Sequence, residues 1–72
     1  MLLETLWRQV GCLYLSDLRT EPYNRLARLA AQTLRAGDFA VQEWNDAAEY
    51  LLGRGSGGYP SAEAAQRALI LK

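Results

Sequence analysis

The sequence predicts a small all-α domain, and three observations support this prediction. Apolar residues recur every three or four positions in four separate stretches, which is the period of an amphipathic helix. Residues that favour helix ends, chiefly glycine, serine, threonine and aspartate, lie between these stretches. No convincing strand, with apolar and polar residues in alternation, competes with this interpretation. We therefore expect a small bundle of three main helices, followed by a looser C-terminal helix after a glycine-rich linker.

A chain of 72 residues is long enough for one domain. We place this domain at 1–72, with a three-helix core at 1–52, a flexible linker at 53–60 and the C-terminal helix at 61–72. Half of the residues are hydrophobic, and eight basic residues balance eight acidic ones. This composition is too apolar for a disordered chain. It also gives no net charge that would attract nucleic acid or an anionic membrane.

Cysteine and histidine usage excludes two common ways of stabilising so small a domain. The chain has one cysteine, Cys12, and no histidine. It can therefore form neither an internal disulfide nor a zinc site of the usual ligand types. We expect no metal and no cofactor, and tight packing or self-association remains as the source of stability.

The first predicted helix runs from Leu2 to Val10 and ends at Gly11. After it, Ser16 and Asp17 can cap a single turn. The residues just before that turn are ambiguous, because they could also be extended.

The second predicted helix has Thr20 as its N-cap and begins its apolar period at Tyr23. We expect it to end at Gly37, a residue type that is common just after a helix. Three arginines share its polar side, namely Arg25, Arg28 and Arg35.

The third predicted helix begins at an Asp38 cap, runs to about Leu52 and closes at Gly53. Trp44 lies near the centre of its apolar face, and we expect this side chain in the core. Ser61 then caps the last helix. Because four of the twelve residues at 61–72 are alanine, its apolar face is thin, and we expect it to dock weakly.

The linker matches the glycine pattern of dinucleotide-binding loops over Gly53–Gly58. Such a loop should follow a strand and lead directly into a helix. Here a helix precedes it and Pro60 follows it, so we interpret the segment as a plain linker.

Charge is distributed unevenly along the chain. Residues 21–35 carry +2 and residues 36–53 carry −4. These charges favour antiparallel pairing of the second and third helices through weak salt bridges. The alternative is that the acidic side of the third helix is offered to a basic partner. A helix-turn-helix reading is disfavoured, because the helix that would enter the groove has four acids and no base.

Catalysis finds little support in the sequence. Asp46 and Glu49 are three residues apart, but they lie on a polar helix face, whereas acid–base work requires a desolvated carboxyl group. Cys12 has no histidine to activate it. We therefore expect a non-enzyme with no small-molecule substrate.

Aromatic residues at the edge of the acidic face are the best candidates for partner binding, since aromatic anchors dominate protein interfaces. We expect a protein-interaction or accessory domain that binds another protein or a second copy of itself. The alternative is a nucleic-acid-associated regulator that uses Arg25, Arg28 and Arg35. The predicted partner-binding residues are Phe39, Glu43, Asp46, Glu49 and Tyr50.

The apolar N-terminal stretch differs from a secretory signal, because it has no basic beginning and Glu4, Arg8 and Gln9 interrupt it. No apolar run approaches the length of a membrane span. We expect a cytoplasmic protein.

Two stretches, Cys12–Leu18 and Glu43–Leu51, resemble segments of short uncharacterised bacterial helical proteins. The resemblance covers about a quarter of the chain and implies no catalytic residue. It implies a role for Tyr14, Ser16, Asp17 and Asn45, most simply as a capped turn lodged against the third helix.

Overall fold

The computed structural model describes residues 1–53, 55 and 57–70. It contains four α-helices, which are α1 (Leu2–Val10), α2 (Tyr23–Ala31), α3 (Val41–Leu52) and α4 (Ala62–Ala68). Two short 3₁₀ helices lie between them, the first 3₁₀ turn at Leu15–Arg19 and the second at Ala36–Asp38. None of the described residues lies in a strand, so the predicted all-α class is confirmed. Within the described ranges, no helix has the length and apolar character that a membrane span requires.

Helix α1 follows the prediction, whereas the turn after it begins at Leu15 and has Tyr14 as its N-cap rather than Ser16 or Asp17. Gly11 ends the helix with a φ of 77°, a left-handed conformation that glycine adopts without steric cost. The carboxylate of Asp17 accepts a hydrogen bond from the backbone N–H of Tyr14 at 3.1 Å, which closes the first 3₁₀ turn. Tyr14 itself is extended, and this settles the ambiguity before the turn.

The predicted ends of α2 are both wrong. Its N-cap is Pro22 rather than Thr20, whose hydroxyl instead donates to the carbonyl of Asp17. The helix ends at Ala31, well before Gly37. Side chains bind the carbonyls at this early end: the Thr33 hydroxyl donates to that of Ala30, and the single Gln66 amide of α4 donates to those of Ala31 and Leu34.

The predicted start of α3 is also wrong, because Asp38 belongs to the second 3₁₀ turn. The N-cap is Ala40, which has no side-chain acceptor of its own. The carboxylate of Glu43, at the third helical position, accepts the backbone N–H of Ala40 at 3.4 Å, which is the other half of a capping box. The predicted end at Gly53 is confirmed.

Trp44 lies fully buried in the core, as predicted. Its indole N–H donates to the carbonyl of Ala36 at 2.8 Å, so the ring is buried without losing a hydrogen bond. All four helices contribute to this core, whose buried apolar residues are Leu2, Leu6, Cys12, Leu18, Ala27, Ala31, Trp44, Ala47, Ala48, Leu51, Ala65 and Leu69.

Helix α4 packs more firmly than its alanine-rich sequence predicts. Ala65 and Leu69 are fully buried against the other helices. Tyr59, just before this helix, is held as well, because the side-chain amide of Asn45 exchanges two hydrogen bonds with its backbone. The predicted linker and helix include Arg54, Ser56, Leu71 and Lys72, which lie outside the described residues.

The contact between α2 and α4 uses polar side chains as caps in both directions. The Gln66 side chain on α4 donates to the carbonyls of Ala31 and Leu34, at 2.9 and 2.7 Å. In return, the Arg28 guanidinium donates to the carbonyls of Leu69 and Ile70. Each helix therefore supplies the hydrogen bonds that the other lacks at its C-terminal end.

Candidate partner-binding site

Three of the five predicted partner-binding residues lie together in an open groove. Asp46, Glu49 and Tyr50 line one side of it, and Leu3 and Arg19 line the other. The groove has a volume of about 420 Å³. This is large enough for one or two side chains of a partner, within the usual range of about 300–1,000 Å³ for binding pockets.

Helical spacing explains why the three α3 residues share this groove. Asp46, Glu49 and Tyr50 occupy positions i, i+3 and i+4, which are neighbours on a helix surface. Asp46 and Glu49 are exposed, whereas Tyr50 is half-buried against the core. The two carboxylates therefore form a solvated rim beside an aromatic floor.

A buried asparagine fixes the position of the opposite wall. The amide group of Asn24 donates to the carbonyl of Leu18, at 3.0 Å, and to the carbonyl of Leu51, at 2.8 Å. These carbonyls belong to the residues next to Arg19 and Tyr50. One side chain thus holds the first 3₁₀ turn against α3 and sets the two walls of the groove side by side.

The guanidinium of Arg19 lies over the ring of Tyr50, with 5.1 Å between its central carbon and the ring centroid. This is a cation–π contact, which contributes roughly 0.5–1 kcal/mol at an exposed site. The groove therefore has two carboxylates, one guanidinium and one aromatic face. Its net charge is negative, and its geometry already accommodates a planar cation.

The other two predicted residues lie outside the groove. Phe39 packs edge-on against Trp44, with ring centroids 6.2 Å apart and an interplanar angle of 89°. Glu43 is occupied at the start of two helices, where its carboxylate accepts the backbone N–H of Leu2 at 3.1 Å and that of Ala40. Phe39 thus supports the core, and Glu43 ties α1 to α3.

Leu3 and Arg19 are the groove residues that the sequence did not single out. Arg19 follows a turn whose conformation was ambiguous, and no local pattern placed that turn beside α3. Helical spacing predicted Asn24 on the polar side of α2 with the arginines, but the structure buries it. A buried amide requires partners from neighbouring elements, and these partners position the turn.

The residues that the resemblance emphasises have distinct local roles. Asp17 caps the first 3₁₀ turn, whereas Asn45 faces the linker and binds Tyr59. Tyr14 is largely exposed and Ser16 is exposed.

The three arginines of the alternative nucleic-acid surface differ in availability. Arg28 is engaged with the carbonyls at the end of α4. Arg25 and Arg35 are exposed, and Arg35 lies beyond the end of α2 rather than on its surface.

Comparison of the chain with protein-family models, with curated proteins and with solved structures found no match.

Proposed function

We propose that this protein is a non-enzymatic interaction module that binds a basic segment of a partner protein in the groove between the first 3₁₀ turn and α3. The observation that carries this proposal is the juxtaposition of Asp46 and Glu49 with the Tyr50 ring. The two exposed carboxylates suit an arginine or lysine side chain of a partner, which can pair with them beside the tyrosine ring that Arg19 covers.

The charge of the surrounding helix supports a basic partner over an acidic one. Residues 36–53 carry four acidic side chains and no basic one, although the whole chain is neutral. Of these four, Glu43 is engaged in capping. Within the described part of the chain, neither Asp46 nor Glu49 forms a salt bridge, so both carboxylates can interact with a partner's cation.

The nucleic-acid alternative has weaker support. Phosphate binding needs several arginines or lysines on one surface. The contact of Arg28 with α4 leaves Arg25 and Arg35 as the exposed pair from that segment. Two separated cations on a neutral chain would bind a phosphate backbone only weakly.

The proposed module folds as one unit that includes α4, rather than as a core at 1–52 with a loosely attached helix. The burial of Leu69 and the side-chain caps between α2 and α4 support this arrangement. A cytoplasmic location is also part of the proposal. It rests on the unpaired thiol of Cys12.

The proposal is tested by titrating the protein into a fluorescently labelled arginine-rich peptide and measuring anisotropy. We expect weak, saturable binding that decreases as salt rises, because both groups that pair are solvent-exposed. The double variant Asp46→Asn/Glu49→Gln should lose at least ten-fold in affinity.

The matched control is Asp38→Asn/Glu63→Gln, which also removes two exposed acidic charges but does so outside the groove. It should bind the peptide nearly as well as the original protein. An equal loss of affinity in both double variants would show that binding depends on net charge alone, and it would contradict a site in the groove. Binding of random duplex DNA at low salt in place of the peptide would favour the arginine surface instead.

A further inference from the structure

A second surface, on the outer side of α1, gathers the most exposed apolar side chains of the described chain. Leu13, Tyr14 and Met1 are 74%, 65% and 65% exposed. Met1 also lines a groove of about 250 Å³, together with Glu4, Trp7 and Leu15, the last of which follows Tyr14 in the chain. Exposed apolar residues scattered singly need no explanation, but a cluster beside an apolar groove is typical of a contact surface.

Trp7 forms one wall of this groove and carries an unusual feature. Its indole N–H is buried and has no hydrogen-bond partner among the described residues. A buried donor without an acceptor is destabilising, because it gives up its hydrogen bond to water and gains none in return. The other tryptophan, Trp44, satisfies its N–H inside the core. The tryptophan with the unmet donor is therefore the one whose side chain lines the surface groove, although the N–H itself is buried.

The charged groups on this face are balanced. Glu4 and Arg8 form a salt bridge at 2.7 Å, one helical turn apart on α1. Their side chains are 46% and 71% exposed. A face with one acid and one base, spaced along the helix axis, attracts neither a basic nor an acidic partner by net charge. It is, however, complementary to a copy of itself in the antiparallel orientation.

We propose that two copies of this chain associate through the outer face of α1, with their helices antiparallel about a twofold axis near residue 6. This axis sets Glu4 of one copy opposite Arg8 of the other, and the pair occurs twice because the contact is isologous. The same axis brings the segment at Leu13 and Tyr14 of each copy toward Met1 and the groove of its partner. The same twofold rotation thus brings opposite charges together and also brings the apolar surfaces into contact.

The size of the face determines how strong this association can be. A standard interface buries about 800 Å² on each partner. That area is roughly one sixth of the 4577 Å² surface of the protein. A nine-residue helix with one adjoining loop supplies less than this, so we expect a weak, concentration-dependent dimer. The surface is separate from the groove at Asp46 and Tyr50, and the proposal does not depend on peptide binding there.

Sedimentation equilibrium over a wide concentration range tests the pairing through charge reversal. The original protein should dimerise at high concentration. Glu4→Arg alone and Arg8→Glu alone should each shift toward monomer, because each variant places like charges opposite one another. An equimolar mixture of the two variants should recover the dimer, since one copy then carries two cations and the other two carboxylates.

The matched control uses Glu63→Arg and Arg67→Glu, which reverse the same charges at the same spacing on α4. These variants should dimerise like the original protein. Leu13→Ser provides a second test and should weaken the dimer. Because Leu13 is exposed, the substitution should leave the fold intact, so misfolding would not explain the lost association. The proposal is overturned if the original protein is monomeric throughout, or if the mixture of Glu4→Arg and Arg8→Glu does not recover dimer.

Discussion

At the scale of single residues, two buried side chains with polar groups organise the molecule. Trp44 fills the centre of the core and satisfies its N–H on the carbonyl of Ala36. Asn24 is also buried, and its amide joins α2 to the first 3₁₀ turn and to α3. Each combines burial with hydrogen bonds to particular carbonyls, so each constrains geometry as well as stability.

Truncation of the core tryptophan should be severe. We expect Trp44→Ala to cost about 3–5 kcal/mol in the free energy of unfolding. Domains have roughly 0.05–0.15 kcal/mol of stability per residue, so this loss approaches the whole stability of so short a chain. Trp44→Phe should cost less, because it keeps an aromatic ring. Thermal melts followed by circular dichroism give both values, and a mild effect of the alanine variant would show that the ring is not central to the core.

Removal of the Asn24 amide should also destabilise the protein, although little volume is lost. Asn24→Asp keeps the shape but replaces two donated hydrogen bonds with an acceptor facing the carbonyls of Leu18 and Leu51. We expect a loss of about 2 kcal/mol or more from urea denaturation. The same variant should weaken peptide binding, because the walls of the groove are no longer held together. Unchanged stability would mean that the asparagine does not join these elements.

At the scale of elements, the sequence predicted the number of helices better than their limits. The caps at Gly11, Gly53 and Ser61 were recognised because they act within their own helix. The limits of α2 and the start of α3 were missed, because side chains distant in sequence decide them. Gln66, which lies 32 residues after Leu34, donates a hydrogen bond to its carbonyl just beyond α2. No local propensity encodes such a contact.

The docking of α4 depends on these polar contacts as much as on its small apolar face. We expect Gln66→Ala to cost roughly 1–3 kcal/mol, because the carbonyls of Ala31 and Leu34 lose the hydrogen bonds that the Gln66 amide donates. Hydrogen exchange should show faster exchange in both α2 and α4. The control Glu63→Ala lies on the exposed side of the same helix and should leave both protected. Faster exchange in α4 alone would contradict mutual support between the two helices.

The candidate site was predicted from the sequence only in part, for a similar reason. Helical spacing grouped Asp46, Glu49 and Tyr50 correctly, because all three belong to one helix. The same reasoning placed Phe39 and Glu43 with them, since a helical wheel shows which residues share a face but not what covers that face. Arg19 came from another element, and its position depends on the buried Asn24 contact.

At the scale of the whole molecule, the fold places two surfaces of different charge on a neutral chain. Acidic side chains collect around the groove on α3, whereas the outer face of α1 combines a balanced ion pair with apolar residues. The first surface suits a basic partner through charge, and the second suits a copy of the same chain through symmetry. Because different side chains form the two surfaces, a dimer through α1 does not use the carboxylates of the groove.

The most direct test of the account is to map the binding of an unlabelled arginine-rich peptide by nuclear magnetic resonance on the ¹⁵N-labelled protein. We predict that the largest chemical-shift changes occur at the amides of Arg19, Asp46, Glu49 and Tyr50, and that they disappear in the Asp46→Asn/Glu49→Gln variant. Changes centred on another surface, or no changes at any peptide concentration, would contradict a partner-binding site in this groove.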